Sequence, residues 1–165
     1  MPTNTDYSDT ILAGQISFEK IPVVPPGSFG DPQIGAANPI DATKVKHQYA
    51  PQLAQAHGTA ATAERRIVHV ARAAGTVAAV GAGPVVAATG NSTVTVDVRK
   101  NGTSILTSTI SLTSATAAFA RVAGTINTAA YVAGDVFEVV VTVAAGTGTL
   151  PQGVSVQVVF REGAG

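Results

Sequence analysis

The chain is 165 residues long, and its ten Lys and Arg balance its ten Asp and Glu to a formal net charge of zero. That length supports one sizeable core rather than two full domains, and the neutral balance excludes a general binder of nucleic acid or anionic membrane, which needs surplus Lys and Arg to displace counterions. Cysteine is absent, which excludes disulfide frameworks and thiolate chemistry, while 12% charged and 5% aromatic residues set against abundant Ala, Val, Thr and Gly suit tightly packed sheets and close subunit contacts.

Residues 1–42 are dense in Pro22, Pro25, Pro26, Pro32 and Pro39 with Gly27, Gly30 and Gly35 among them, a pattern that forbids a helix and pushes the chain toward extended geometry. A plain Pro-rich linker is one reading. The favoured one is an extended anchoring arm, because Phe18, Ile21, Val23, Val24 and Phe29 are too apolar to leave in water and suit anchors laid on another surface. The chain start has no basic region followed by an apolar run, and no run of about twenty apolar residues occurs anywhere, so neither a secretory signal nor a membrane span is expected.

Residues 43–64 form a connector, helical or irregular. Val45, Tyr49, Leu53 and Ala56 recur at helical spacing and predict one short helical segment, with Asp41 or Thr43 as its cap and Pro51 kinking it or dividing it into two turns.

From Arg65 onward the pattern is that of strands. Residues 65–73 place Ile67, His69 and Ala71 on one face and Arg66, Val68, Val70 and Arg72 on the other, and a second strand ends at glycines and Pro84. Val94, Val96 and Val98 then alternate with polar residues up to Asn101-Gly102, the dipeptide suited to positive φ at both positions of a hairpin turn. Beyond it Ile105 and Leu106 cannot share a face, which predicts a bend before Ile110 and Leu112. In residues 113–130 the expected buried positions are Phe119, Val122 and Ile126. The two final strands carry the clearest core pattern: Phe137, Val139, Val141 and Val143, then Val154, Val156, Val158 and Phe160. The first of them is expected to be the more deeply buried. The fold class predicted is all-β: a jelly-roll-like antiparallel β-sandwich over residues 65–165, preceded by the arm and the short helical segment.

Chemistry-bearing patterns are sparse. His47, His57 and His69 are too far apart to form a recognisable metal set, and Ser92, His69 and Asp97 lack the nucleophile elbow that would make them a hydrolytic triad. Asp135 and Glu138 read as a turn former and an exposed strand residue. Gly146-Thr147-Gly148 and Gly81-Ala82-Gly83 read as turns, since neither opens a helix as a phosphate cradle must. Asn91-Ser92-Thr93 and Asn101-Gly102-Thr103 match glycosylation acceptors, a pattern of low specificity. The basic cluster Arg65, Arg66 and Arg72 reads as a charged strand edge that discourages edge pairing. No catalytic, metal or cofactor site is expected.

The stretch VTVDVRKNGTSILTSTISL, followed by YVAGDVFEVVV, GTGTLPQGVSVQVVF and Arg161-Glu162, resembles the β-rich virion proteins of tailed bacteriophages, over roughly residues 65–162. The resemblance extends both to capsid decoration (cement) proteins and to fibre or spike heads. It implies a non-enzymatic jelly-roll module that assembles as a homotrimer. In that reading Asp97, Lys100, Asn101, Gly102, Gly134, Asp135, Thr149, Pro151 and Gly153 are structural turn and strand positions. A fibre would be expected to carry a longer shaft, so the expectation is a capsid decoration protein on the virion surface. Its partners would be the major capsid protein and its own copies, and neither nucleic acid nor membrane. The alternative is a host-recognition head that uses residues 82–92 and 113–130.

Overall fold

The computed structural model describes residues 47–163, and none of these is helical. The strands are β1 (His47–Tyr49), β2 (Gln52–Ala54), β3 (Glu64–Val70), β4 (Gly75–Gly83), β5 (Thr93–Lys100), β6 (Thr103–Ser104), β7 (Ile110–Leu112), β8 (Val122–Ala123), β9 (Ala130–Tyr131), β10 (Val136–Ala144) and β11 (Ser155–Glu162). They make two antiparallel sheets. One runs β1-β11-β4-β8, with β2 also on β11 and β9 also on β4; the other runs β3-β10-β5-β6, with β7 also on β5.

The alternating apolar residues account for the central strands. Val94, Val96 and Val98 of β5 and Phe137, Val139 and Val141 of β10 turn inward from one sheet, to meet Val77, Val80 and Ala82 of β4 and Val156, Val158 and Phe160 of β11 from the other. Phe137 and Phe160 meet edge to face with ring centroids 4.8 Å apart, so the two sheets share one core. β10 and β11 therefore do not pair with each other. Each lies inside its own sheet, and residues 145–154 carry the chain across.

Two bulges adjust the faces. Opposite Phe137 and Glu138, β3 carries the extra residue Val68; opposite Val159 and Phe160, β4 carries the extra residue Ala78. The first bulge corrects the expected grouping of Ile67 with His69. His69 pairs with inward Phe137, whereas Ile67 pairs with outward Glu138 and is 62% exposed.

The short helix expected around residues 43–64 is also corrected for the part described. β1 and β2 pair antiparallel with β11, so Leu53 is buried opposite Val156, and Tyr49 stands opposite Phe160. Pro51 interrupts them without cost, since an edge position does not require its missing N–H and its carbonyl still accepts from Val158 N at 3.2 Å. The strand pairing offered by β11 outweighs a helical stripe of only a few residues. Gly81-Ala82-Gly83 likewise belongs to β4 rather than to a turn. A Cβ on Gly83 would run into the Ala120 carbonyl, and one on Gly81 would crowd the Arg121 guanidinium.

Candidate functional site

Two clusters of titratable groups stand out among the described residues. The first lies where β1 meets the body of the fold. Tyr49 Oη is 2.6 Å from His69 Nε2 and 2.8 Å from Glu162 Oε2, while Glu162 Oε1 accepts the backbone N–H groups of Arg72 and Ala73, each at 2.8 Å. One carboxylate thereby ties β1, the end of β11 and the β3–β4 turn together. The His69 ring lies against Phe160, with centroids 4.5 Å apart, and near Phe137 and Tyr131. Burial among these rings lowers the His69 pKa below its ordinary value, and the Glu162 charge offsets this only in part. Burial alone would raise the Glu162 pKa, but the bonds from Ala73, Tyr49 and Arg72 and the nearby His69 bring it below the usual carboxylate value. Desolvation, followed by the bond to Glu162, pushes the Tyr49 phenol far up, so it stays protonated and donates.

The second is a row of charges across the outer face of the five-stranded sheet. Arg65 grips Glu138 through two bonds of 2.5 and 2.7 Å, and Arg99 binds Asp97 at 2.8 Å, where Ser104 donates a further bond of 2.6 Å. Glu138 is buried, which corrects its expected exposure: the long Arg65 and Arg99 side chains cover it. Its pKa is lowered chiefly by the Arg65 hydrogen bonds. Equal numbers of cations and carboxylates leave the row internally neutral, suited to holding strands in register rather than attracting an ion.

Of the residues singled out in the sequence, Asn101 and Gly102 make the β5–β6 turn with φ of 50° and 84°, and Gly134 (91°) and Gly153 (60°) also sit at positive φ. Asn101 donates to Asp135 at 2.7 Å and accepts from Val136 N at 2.9 Å, while Asp135 accepts from Val132 N. Pro151 is buried, and its carbonyl accepts from Ala61 N at 2.8 Å. Phe18, Ile21, Val23, Val24 and Phe29 lie outside the described residues. Ser92, His69 and Asp97 are not brought together: Ser92 accepts from Gly146 N, His69 bonds Tyr49, and Asp97 faces the opposite side of its sheet. Asn91 Oδ1 is occupied by the amide and hydroxyl of Thr147, pinning residues 146–148 beneath residues 89–92. Among the described residues no three His, Asp or Glu side chains converge as metal ligands.

What the sequence did not reveal is the role of Tyr49 and Glu162, which are 113 residues apart, and the position of Phe119. Expected to be buried, Phe119 is instead 78% exposed with a φ of 60°, in a turn fixed by its N–H on the Pro84 carbonyl at 2.9 Å. Beside that turn, on the outer face of the six-stranded sheet, an open cleft of about 200 Å³ is lined by Ala79, Gly81, Arg121, Val122, Gln157 and Val159, among others.

Comparison of the chain with protein-family models, with curated proteins and with solved structures gave no match.

Proposed function

We propose that the protein is a capsid decoration protein of a tailed-bacteriophage virion: a jelly-roll-like β-sandwich that trimerises on the capsid surface, while the arm of residues 1–42 clamps neighbouring major capsid subunits through Phe18, Ile21, Val23, Val24 and Phe29. The reading begins from the sequence resemblance, and one structural observation supports it. A clamp must pull against something rigid, and the strand that follows the arm, β1, is fixed by pairing with β11 and by the Tyr49 hydroxyl on both His69 and Glu162. Load on the arm would pass into the core rather than peel an edge. Stabilisation follows from mass action, since a partner that binds only the assembled shell lowers its free energy by the binding term, and trivalence raises the effective concentration at each junction.

The test is deletion of residues 1–35. The truncated protein is expected to fold and to fail to attach to shells; full occupancy by the truncated protein would show that the arm is not the clamp.

A second reading, a host-recognition head, is favoured by one observation, the exposure of Phe119 within residues 113–130. Copy number per virion separates the two. A lattice-like ratio to the major capsid protein supports decoration, and a few copies per particle supports a fibre or spike head.

A further inference from the structure

Phe119 combines two costs that a chain has no structural reason to bear. A left-handed backbone disfavours any residue with a bulky Cβ substituent, and a phenyl ring in water forgoes its burial. Glycine or asparagine would make the same turn without either. The turn is nevertheless built firmly around this ring. Phe119 N–H bonds Pro84 O, Ala120 N–H bonds Ala117 O, Thr116 N–H bonds Thr113 O, and Gly83 lacks the Cβ that would push Ala120 away from β4. Backbone strain on a rigid mount is the pattern of a preorganised contact residue.

The complement lies two residues along the chain. Arg121 donates to Gly81 O at 2.7 Å, and its guanidinium forms one wall of the cleft whose floor is the small or apolar set Ala79, Gly81, Val122 and Val159. A cleft of about 200 Å³ is large enough for a phenyl ring, since an apolar cavity of roughly 150 Å³ takes up benzene. A guanidinium at its wall offers the cation–π contact that an aromatic guest favours. Within one copy the ring does not occupy this cleft, for it stands in solvent. Each copy thus presents both a projecting ring and a receptor for one, and a zero net charge puts no repulsion between copies.

We infer that Phe119 is a self-association anchor, seated in the Ala79–Arg121–Val159 cleft of a neighbouring copy. The inference rests on the proposed self-assembly and names the contact that carries it. Alternating ring and cleft around an axis is a head-to-tail arrangement, which closes into a ring when the rotation permits.

The experiment is sedimentation velocity on the full chain over a wide concentration range, for wild type, Phe119→Gly and Ala79→Phe, the last of which fills the cleft from an exposed outward position on β4. Wild type is expected to associate, and each variant to weaken association by at least about tenfold, as for loss of an aromatic hot spot. Phe119→Gly is expected to keep or raise the thermal midpoint, because it relieves the backbone, so weaker association cannot be put down to misfolding. An equimolar mixture of the two variants is expected to recover a dimer, since one retains the ring and the other the cleft. If wild type and Phe119→Gly assemble equally, the contact is wrong and self-assembly stands. If wild type stays monomeric throughout, self-assembly falls with it and the ring serves another partner. If the mixture fails to pair although both variants dissociate, the ring does not enter this cleft.

Discussion

Tyr49 Oη lies between His69 Nε2, at 2.6 Å, and Glu162 Oε2, at 2.8 Å, and the chemistry of the three groups fixes the direction of both bonds. An ionised carboxylate only accepts, so the single Tyr49 proton goes to Glu162, and Nε2 of His69 must carry the hydrogen that is donated to Tyr49 Oη. His69 is thereby held as the Nε2–H tautomer, with Nδ1 the atom that takes up a proton in acid.

The fold should lose stability as the pH falls below neutrality. The His69 pKa is lowered from 6.5 by burial, so the unfolded chain binds this proton more readily than the folded one. The stability contributed by neutral His69 is complete above 6.5 and declines as the pH falls from there toward the folded value. Glu162, lowered from 4.5, adds a second loss below that value. Tyr131 and Tyr49, the other titratable neighbours, stay protonated across both windows because burial raises them. Thermal midpoints recorded from pH 8 to pH 3 should show both losses, the lower one shared with Glu138 and Asp135, whose pKa values are lowered as well, and His69→Gln should abolish the upper one; an unchanged upper step would assign it to another group.

Replacing Tyr49 by Phe keeps the ring stacked on Phe160 but leaves Nε2–H of His69 and one oxygen of Glu162 without their shared partner. A cost of about 1–3 kcal/mol is expected, the summed net value of one neutral and one charge-assisted hydrogen bond between half-buried groups. The loss should be local first. Amide exchange at β1 should accelerate before that at β5 or β10, and uniform acceleration would show that the hydroxyl is not what holds the strand.

At the β5–β6 turn, Asn101 serves both by backbone conformation and by side chain. Asn101→Gly keeps the positive φ and loses the bonds to Asp135 and Val136, which should lower stability, modestly because water can replace partners this close to the surface. Asn101→Ala loses the same bonds and adds the left-handed penalty of roughly 1–2 kcal/mol. Denaturant midpoints should therefore rank wild type above Gly above Ala; equal values for the two variants would mean that the turn relaxes.

Phe160 stacks on Tyr49, packs against His69 and meets Phe137 edge to face, so it links both sheets to β1. Phe160→Ala should cost about 3–5 kcal/mol, the usual range for emptying a buried aromatic site. Equilibrium unfolding measures it directly, and a loss below about 1.5 kcal/mol would place the ring outside the packed core.

The valines at 94, 96 and 98 and the matching sets in β10 and β11 were legible in the sequence because a period of two needs no knowledge of the partner strand. The turn at Asn101-Gly102 was legible because only a few residue pairs tolerate its φ angles. The two bulges were not, since one extra residue at Val68 or Ala78 leaves the composition unchanged and only reverses a face. The burial of Glu138 is not legible because its partner Arg65 is 73 residues away in sequence. Tyr49 and Leu53 suggest one side of a helix, because a spacing of four residues fits a helical turn as well as two short strands separated by Pro51. Hydrophobicity alone points to a buried Phe119, and it carries no information about the sign of φ.

The position of β11 constrains how the chain is made. Among the described strands it comes after all the others in sequence, yet it lies inside the six-stranded sheet, with β1 and β2 on one side and β4 on the other. While a nascent chain is still on the ribosome and β11 has not emerged, β1 and β2 have no strand to pair with, β4 is open along one side, and the inward valines of the other sheet lack the part of their opposing layer that Val156, Val158 and Phe160 supply. Such unpaired edges and bare apolar faces are what chaperones bind and what drives neighbouring chains on a polysome to aggregate. A premature stop anywhere before Ser155 should therefore yield a protein that is cleared or insoluble rather than a weakened but folded one.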